Sequence, residues 1–142
     1  MRIGDDFSFV DIAVAEVQPA AAATPGGDVL VRVHVRRSAF AGVVDAWIDG
    51  GAWAKFLAQL VALERARTGE ATLRGVSPGE LVLRFRVIDR AGHMGVDGEM
   101  LQYGYSRESQ LQTTQLRFAT IDFDPTLLPP LIEELSFAAP PR

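Results

Sequence analysis

Few side chains in the 142-residue chain have the types and spacing that chemistry requires. Cysteine is absent, which excludes thiol nucleophiles, disulfide frameworks, iron–sulfur clusters and Cys-rich zinc sites. The two histidines lie far apart in the sequence: His34 sits between Val33 and Val35, and His93 follows Gly92. Neither belongs to a ligand motif such as H-E-x-x-H, so both read as surface or turn residues and no metal is expected. Gly50-Gly51 stand before a helical pattern, but G-x-G-x-x-G and G-x-x-x-x-G-K are missing and Lys55 is the sole lysine. The pair therefore reads as a tight strand-to-helix junction rather than a phosphate cradle, and no cofactor is expected. Asp122 and Asp124 flank Phe123 and could be imagined as paired carboxylates. Asp124 before Pro125 reads instead as a helix cap, with Asp122 facing solvent.

What remains is a mixed polar surface. Arg32, His34, Arg36, Asp45, Arg84, Arg86, Asp97 and Glu99 fall at outward positions of strand patterns, with Trp47 and either Tyr103 or Tyr105 at the margin. Arginine among exposed aromatics is the composition of protein-binding hot spots rather than of a small-molecule pocket. The plain alternative is a solvated face crossed by salt bridges of roughly 0–1 kcal/mol each.

Composition bounds the partners. With 14 Lys+Arg against 18 Asp+Glu, the net charge of −4 argues against a nucleic-acid binder, which needs a basic stripe to exchange for counterions. Carboxylates at Asp5 and Asp6, where a signal peptide needs an apolar run, and the lack of any membrane-length apolar stretch predict a cytoplasmic protein with no membrane partner. Hydrophobic residues make up 48%, and the length suits a single domain over 1–142.

The elements that must position these residues follow from periodicity. Phe7 to Val17 reads as a strand, and the Ala-, Pro- and Gly-rich stretch over 18–28 as a flexible loop. Val29, Val31, Val33 and Val35 alternate with Arg32, His34 and Arg36, the pattern of a half-buried antiparallel strand. From Phe40 to Ile48 the expected inward set is Phe40, Val44, Ala46 and Ile48, with Val43, Asp45 and Trp47 outward; Trp47 is then an edge residue or part of a surface patch. Trp53, Phe56, Leu57, Leu60 and Val61 form an amphipathic helical stripe, predicting a helix over about 50–67. Asp49 is its N-cap, Ile48 and Trp53 form a hydrophobic staple, and Gly69 takes the left-handed position after it.

Next come a strand over Ala71 to Val76, the turn Ser77-Pro78-Gly79, and a hairpin of Leu81 to Arg90 with His93 to Tyr103 around Ala91-Gly92. Setting Arg90 opposite His93 places Arg86 opposite Asp97, Arg84 opposite Glu99, Val87 opposite Val96 and Leu83 opposite Met100. Gln110 to Phe123 keeps its apolar phase only with a bulge near Ala119 or Thr120. Pro129 and Pro130 restrict the last helix to about 129–137, after a short turn at 125–128, and the tail over 138–142 is expected to fray. The fold expected is α+β: one mostly antiparallel, curved sheet of six or seven strands, with both helices packed on one face.

Several of these segments also carry a likeness: Phe40-Ala41-Gly42 with Ala46-Trp47-Ile48, the helix Trp53 to Glu64, Gly69-Glu70-Ala71-Thr72-Leu73, Asp89-Arg90-Ala91-Gly92-His93, and Phe123-Asp124-Pro125 with Leu127-Leu128-Pro129. Over about residues 29 to 135 the chain resembles the WapI-like bacterial immunity proteins, cytosolic antidotes of polymorphic toxin systems, and related domains of unknown function. The resemblance implies a non-catalytic protein whose partner is a cognate toxin domain, blocked by occlusion, and it supplies no catalytic motif to carry over. The acidic balance would suit a basic toxin. Two other classes stay open: an interaction module that forms a homodimer through an edge strand or sheet face, and a small-ligand carrier with a cleft lined by His34, Asp45 and Arg84.

Overall fold

The computed structural model describes residues 1–19 and 27–137. Most of the expected loop over 18–28 and the whole tail over 138–142 lie outside the described residues. In chain order the elements are β1 (Arg2–Gly4), β2 (Ser8–Val17), β3 (Val29–Arg37), β4 (Phe40–Ile48), α1 (Gly50–Ala66), β5 (Glu70–Arg74), β6 (Leu81–Val87), β7 (Met94–Tyr105), β8 (Leu111–Phe123), a 3-10 turn (Pro125–Leu127) and α2 (Leu128–Phe137).

The strands form two antiparallel sheets of four, ordered β1-β2-β3-β4 and β5-β6-β7-β8, instead of the single sheet of six or seven expected. The physical reason is coverage. Eight strands side by side would span roughly 38 Å. Two helices each about 10–12 Å across cannot hide the apolar face of such a sheet. Here the inward faces of both sheets and the apolar stripes of both helices share one continuous core. Helix α1 packs along β5 and β6 and against α2. At the junction the Val76 N–H donates to the Trp47 carbonyl at 2.8 Å.

The valine alternation of β3 is realised, with Val31, Val33 and Val35 fully buried. Phe40 departs from its expected place. It has the inward phase of β4, but it lies at the strand's first residue beyond the core and is 70% exposed. β1 was not expected; three residues are too few to show a period.

Local signals place the helices. The Asp49 carboxylate accepts from the Ala52 N–H at 3.1 Å, and Trp53, Phe56, Leu60 and Leu63 are buried along one stripe. At the other end Arg67 is the C-cap, itself left-handed (φ 55°), and its N–H bonds the Leu63 carbonyl, while Gly69 two residues on has the positive φ expected of it (90°). Its Nε donates to the Glu64 carbonyl at 2.9 Å, satisfying a second orphan acceptor. Asp124 caps the 3-10 turn through the Thr126 N–H at 2.9 Å, and the two prolines fall in the first turn of α2, where a missing N–H costs nothing.

The bulge of β8 is where the apolar phase demanded it, opposite the step from Val96 to Gly98 and at residues 119–120. The β6–β7 register differs by two residues from expectation: Arg84 faces Asp97, Val87 faces Met94 and Leu81 faces Met100. The connection is longer than a tight turn. Ile88 N–H closes on the His93 carbonyl at 2.8 Å, and the Asp89 carboxylate captures the His93 N–H at 3.1 Å. A shift of two preserves the pleat, so every side chain keeps its expected face.

Candidate interaction surface

Because there are two sheets, the nine outward residues expected on one wall divide between two. Arg32, His34, Arg36, Asp45 and Trp47 belong to the outer face of the first sheet; Arg84, Arg86, Asp97 and Glu99 belong to that of the second. His34 and Asp45 are therefore on a different sheet from Arg84, and the cleft that would have joined them in a ligand site is not formed.

On the first sheet, Arg32 and Asp45 face each other across β3 and β4. The guanidinium forks onto the carboxylate, Nε to Oδ1 at 2.8 Å and Nη2 to Oδ2 at 2.9 Å. This pairing lowers the Asp45 pKa and raises that of Arg32, chiefly through the shared hydrogen bonds. One strand over, Phe9 has an outward phase yet is buried, because Arg2 sits 3.8 Å above its ring and His34 meets it edge-on at 5.0 Å. Arg36 turns away to donate to the Ser38 carbonyl at 3.2 Å. Trp47 lies half-buried opposite Leu30, and Val43 is 54% exposed.

On the second sheet Asp97 draws two arginines. Arg84 Nη1 donates to its Oδ1 at 3.1 Å from directly opposite, and Arg86 Nη2 lies 3.1 Å from Oδ2 on the diagonal. Glu99 does not pair with Arg84 as expected. It accepts from Arg117 of β8 at 3.1 Å, a contact that sequence reasoning missed because the β7–β8 register depends on the bulge.

The two sheets approach each other where β4 lies near β7. An open groove of ≈ 390 Å³ is lined by Arg32, Val43 and Asp45 from the first sheet, by Gln102 and Tyr103 from the second, and by Glu80 from the turn before β6. Tyr103 anchors its rim by donating to the Pro78 carbonyl at 3.1 Å. Beyond it β7 and β8 continue as a two-stranded ribbon whose residues from 102 to 115 are exposed on both faces, save half-buried Ser106.

A second polar cluster lies at the β6–β7 connection. His93 Nδ1 and Asp89 Oδ2 are 2.5 Å apart, and the hydrogen bond lowers the pKa of Asp89 while raising that of His93. Asp122 and Asp124 line the same shallow groove. Asp124 spends its carboxylate on the cap, and no grouping of three or more His, Asp or Glu among the described residues could hold a metal ion. Among the described residues no charged or polar residue is fully buried.

No family model, curated protein or solved structure matches the chain. Among the described residues, no helix is long and apolar enough to cross a membrane.

Proposed function

We propose that this chain is a non-catalytic immunity protein that binds a cognate toxin domain in the bacterial cytoplasm and neutralises it by occlusion. The observation that carries the reading is the groove where the sheets meet, in which a bidentate arginine, an exposed valine and a tyrosine border a polar floor. Arginine and tyrosine beside exposed apolar area are the residues that dominate protein–protein binding energy. All three side chains stand on regular strands, β3, β4 and β7, which limits the ordering cost of association. The likeness of the segments around Trp47, Trp53 to Glu64 and Asp89 to His93 to WapI-like immunity proteins adds the class of partner.

The reading predicts that a gene for a large toxin lies beside this one, and the test is co-expression with that toxin's C-terminal domain; the lack of any such neighbour counts against it. Rescue of growth by the wild-type chain, together with its loss in Tyr103→Ala and Arg32→Ala variants that still fold, is the expected result. Failure of the wild-type chain to rescue or bind that domain overturns the proposal. A homodimeric interaction module remains the second reading, favoured by the edge of β8.

A further inference from the structure

The two sheets have four outer strands: β1 and β4 in the first, β5 and β8 in the second. An open edge presents unpaired N–H and C=O groups, and proteins usually blunt it with shortness, charge or a cover. Three of the four are managed in this way. β1 is only three residues long. β4 carries Asp45, and its Trp47 carbonyl is taken by the Val76 N–H. β5 has five residues with Glu70 and Arg74 at its ends, and the Gln59 side chain of α1 accepts from its Thr72 N–H at 3.1 Å.

β8 is different. It runs for thirteen residues, and Leu111 to Leu116 contain no charge and no proline. Its bulge falls beyond that stretch. The Ser106 N–H donates to the Gln110 carbonyl at 2.8 Å; counting from that closed pair, the even residues Gln112, Thr114 and Leu116 bond to β7. The odd residues Leu111, Thr113, Gln115 and Arg117 therefore turn their backbone groups outward, and no other backbone partner meets them among the described residues. Tyr105 and Leu111, directly opposite each other in the ribbon, are 76% and 58% exposed.

We infer that this chain forms a homodimer in which Leu111 to Arg117 of β8 pairs antiparallel with the same segment of a second copy, about a twofold axis at Thr114. In that register Leu111 faces the partner's Arg117 and Thr113 faces the partner's Gln115, each twice by symmetry. The outward groups of the four odd residues meet their own complement, and no like charges are opposed. Arg117 already directs its guanidinium to Glu99, leaving its methylene stem to cover the partner's Leu111. The uncharged, self-complementary segment is the reason for choosing a second copy over a foreign strand. The inference stands independently of toxin binding.

Sedimentation of the full chain over a wide concentration range tests it, with a mass moving from 15.4 kDa toward twice that value as expected. Replacing Thr113→Lys together with Gln115→Lys sets lysine against lysine twice and should weaken the dimer about tenfold or more. Thr113→Lys with Gln115→Glu sets opposite charges in the same register and should retain it. If a variant does not fold, wild-type hydrogen exchange decides: the amides of Leu111, Thr113, Gln115 and Arg117 gain protection as concentration rises. A monomer at the highest concentration, a dimer indifferent to both charge patterns, or edge amides that never gain protection would overturn the inference.

Discussion

On the outer face of the first sheet, Arg32 and Asp45 hold each other across adjacent strands, and Phe9 is roofed by Arg2 and His34. At the far end of the second sheet, Tyr105 and Leu111 stand in solvent on a ribbon with almost nothing above or below it. Both regions are outward β-surface, but one satisfies itself and the other does not. The difference lies in length. β3 and β4 end together, from Val29 opposite Ile48 to Arg37 opposite Phe40, whereas β7 and β8 outrun β6 by several residues. A strand that leaves its sheet loses the core on one side and its neighbour on one edge, and exposure follows from topology rather than from composition.

The sharpest break of this comparison is made in the core that both sheets share. Phe56 of α1 is fully buried and meets Trp53 and Phe85 with ring centroids 5.9 and 5.8 Å apart, and Phe85 in turn meets Phe123. Phe56→Ala should cost about 3–5 kcal/mol by denaturant unfolding. Tyr105→Ala on the ribbon should stay within about 0.5 kcal/mol. A Tyr105 effect approaching that of Phe56 would mean that the ribbon is part of the folded core, contrary to its exposure.

The middle of the scale compares the two acidic residues that organise the outer faces. Asp97 is 17% exposed at its side chain and serves two arginines; Asp45 is 41% exposed and serves one. Asp97→Ala should therefore cost about 1–2 kcal/mol, by leaving Arg84 and Arg86, neighbours on one face of β6, without a counter-charge. Asp45→Ala should cost under about 1 kcal/mol, the range of an exposed pair. Urea midpoints at low and high salt check this, and Asp45 should be the more salt-sensitive of the two. Equal losses would show that the fork of Arg32 compensates for its exposure.

How much of this was legible in the residues follows the reach of each signal. Asp49 and Asp124 announced their helices because a cap is decided within three residues. The bulge at residues 119–120 was legible because Leu116, Phe118, Ile121 and Phe123 cannot share a face without it. The hairpin partners slipped by two because Asp89 bonds the His93 N–H through its side chain, enlarging the turn in a way that apolar alternation does not register. The division into two sheets was hidden for a related reason: alternation tells which face a residue takes, never which strand lies beside it. Consequently alternation shows the outward phase of the nine candidate residues, but not that Arg84, Arg86, Asp97 and Glu99 belong to a second sheet, nor that Arg117 meets Glu99.

The smallest effect lies at the β6–β7 connection, which resembles neither region: it is exposed like the ribbon yet paired like the first sheet. His93 is 66% exposed, and the bond to Asp89, with added fields from Asp122 and Asp124, raises its pKa above the usual value of about 6.5. A raised folded-state value means that the stabilisation from His93 is complete below about pH 6.5 and is lost as pH rises through the folded value. Asp89 behaves in the opposite sense. Its pKa is lowered, so its contribution is present above about pH 4 and lost as pH falls through its folded value. The pair is thus strongest in the window between the two folded values. NMR titration of the His93 imidazole should show the elevation, and Asp89→Asn should remove most of it. Asp122→Asn should remove less, because that residue acts only through its field. An imidazole that titrates unchanged in Asp89→Asn would mean that the turn is held by the backbone bond to His93 alone, making the connection as independent of its charges as the ribbon is.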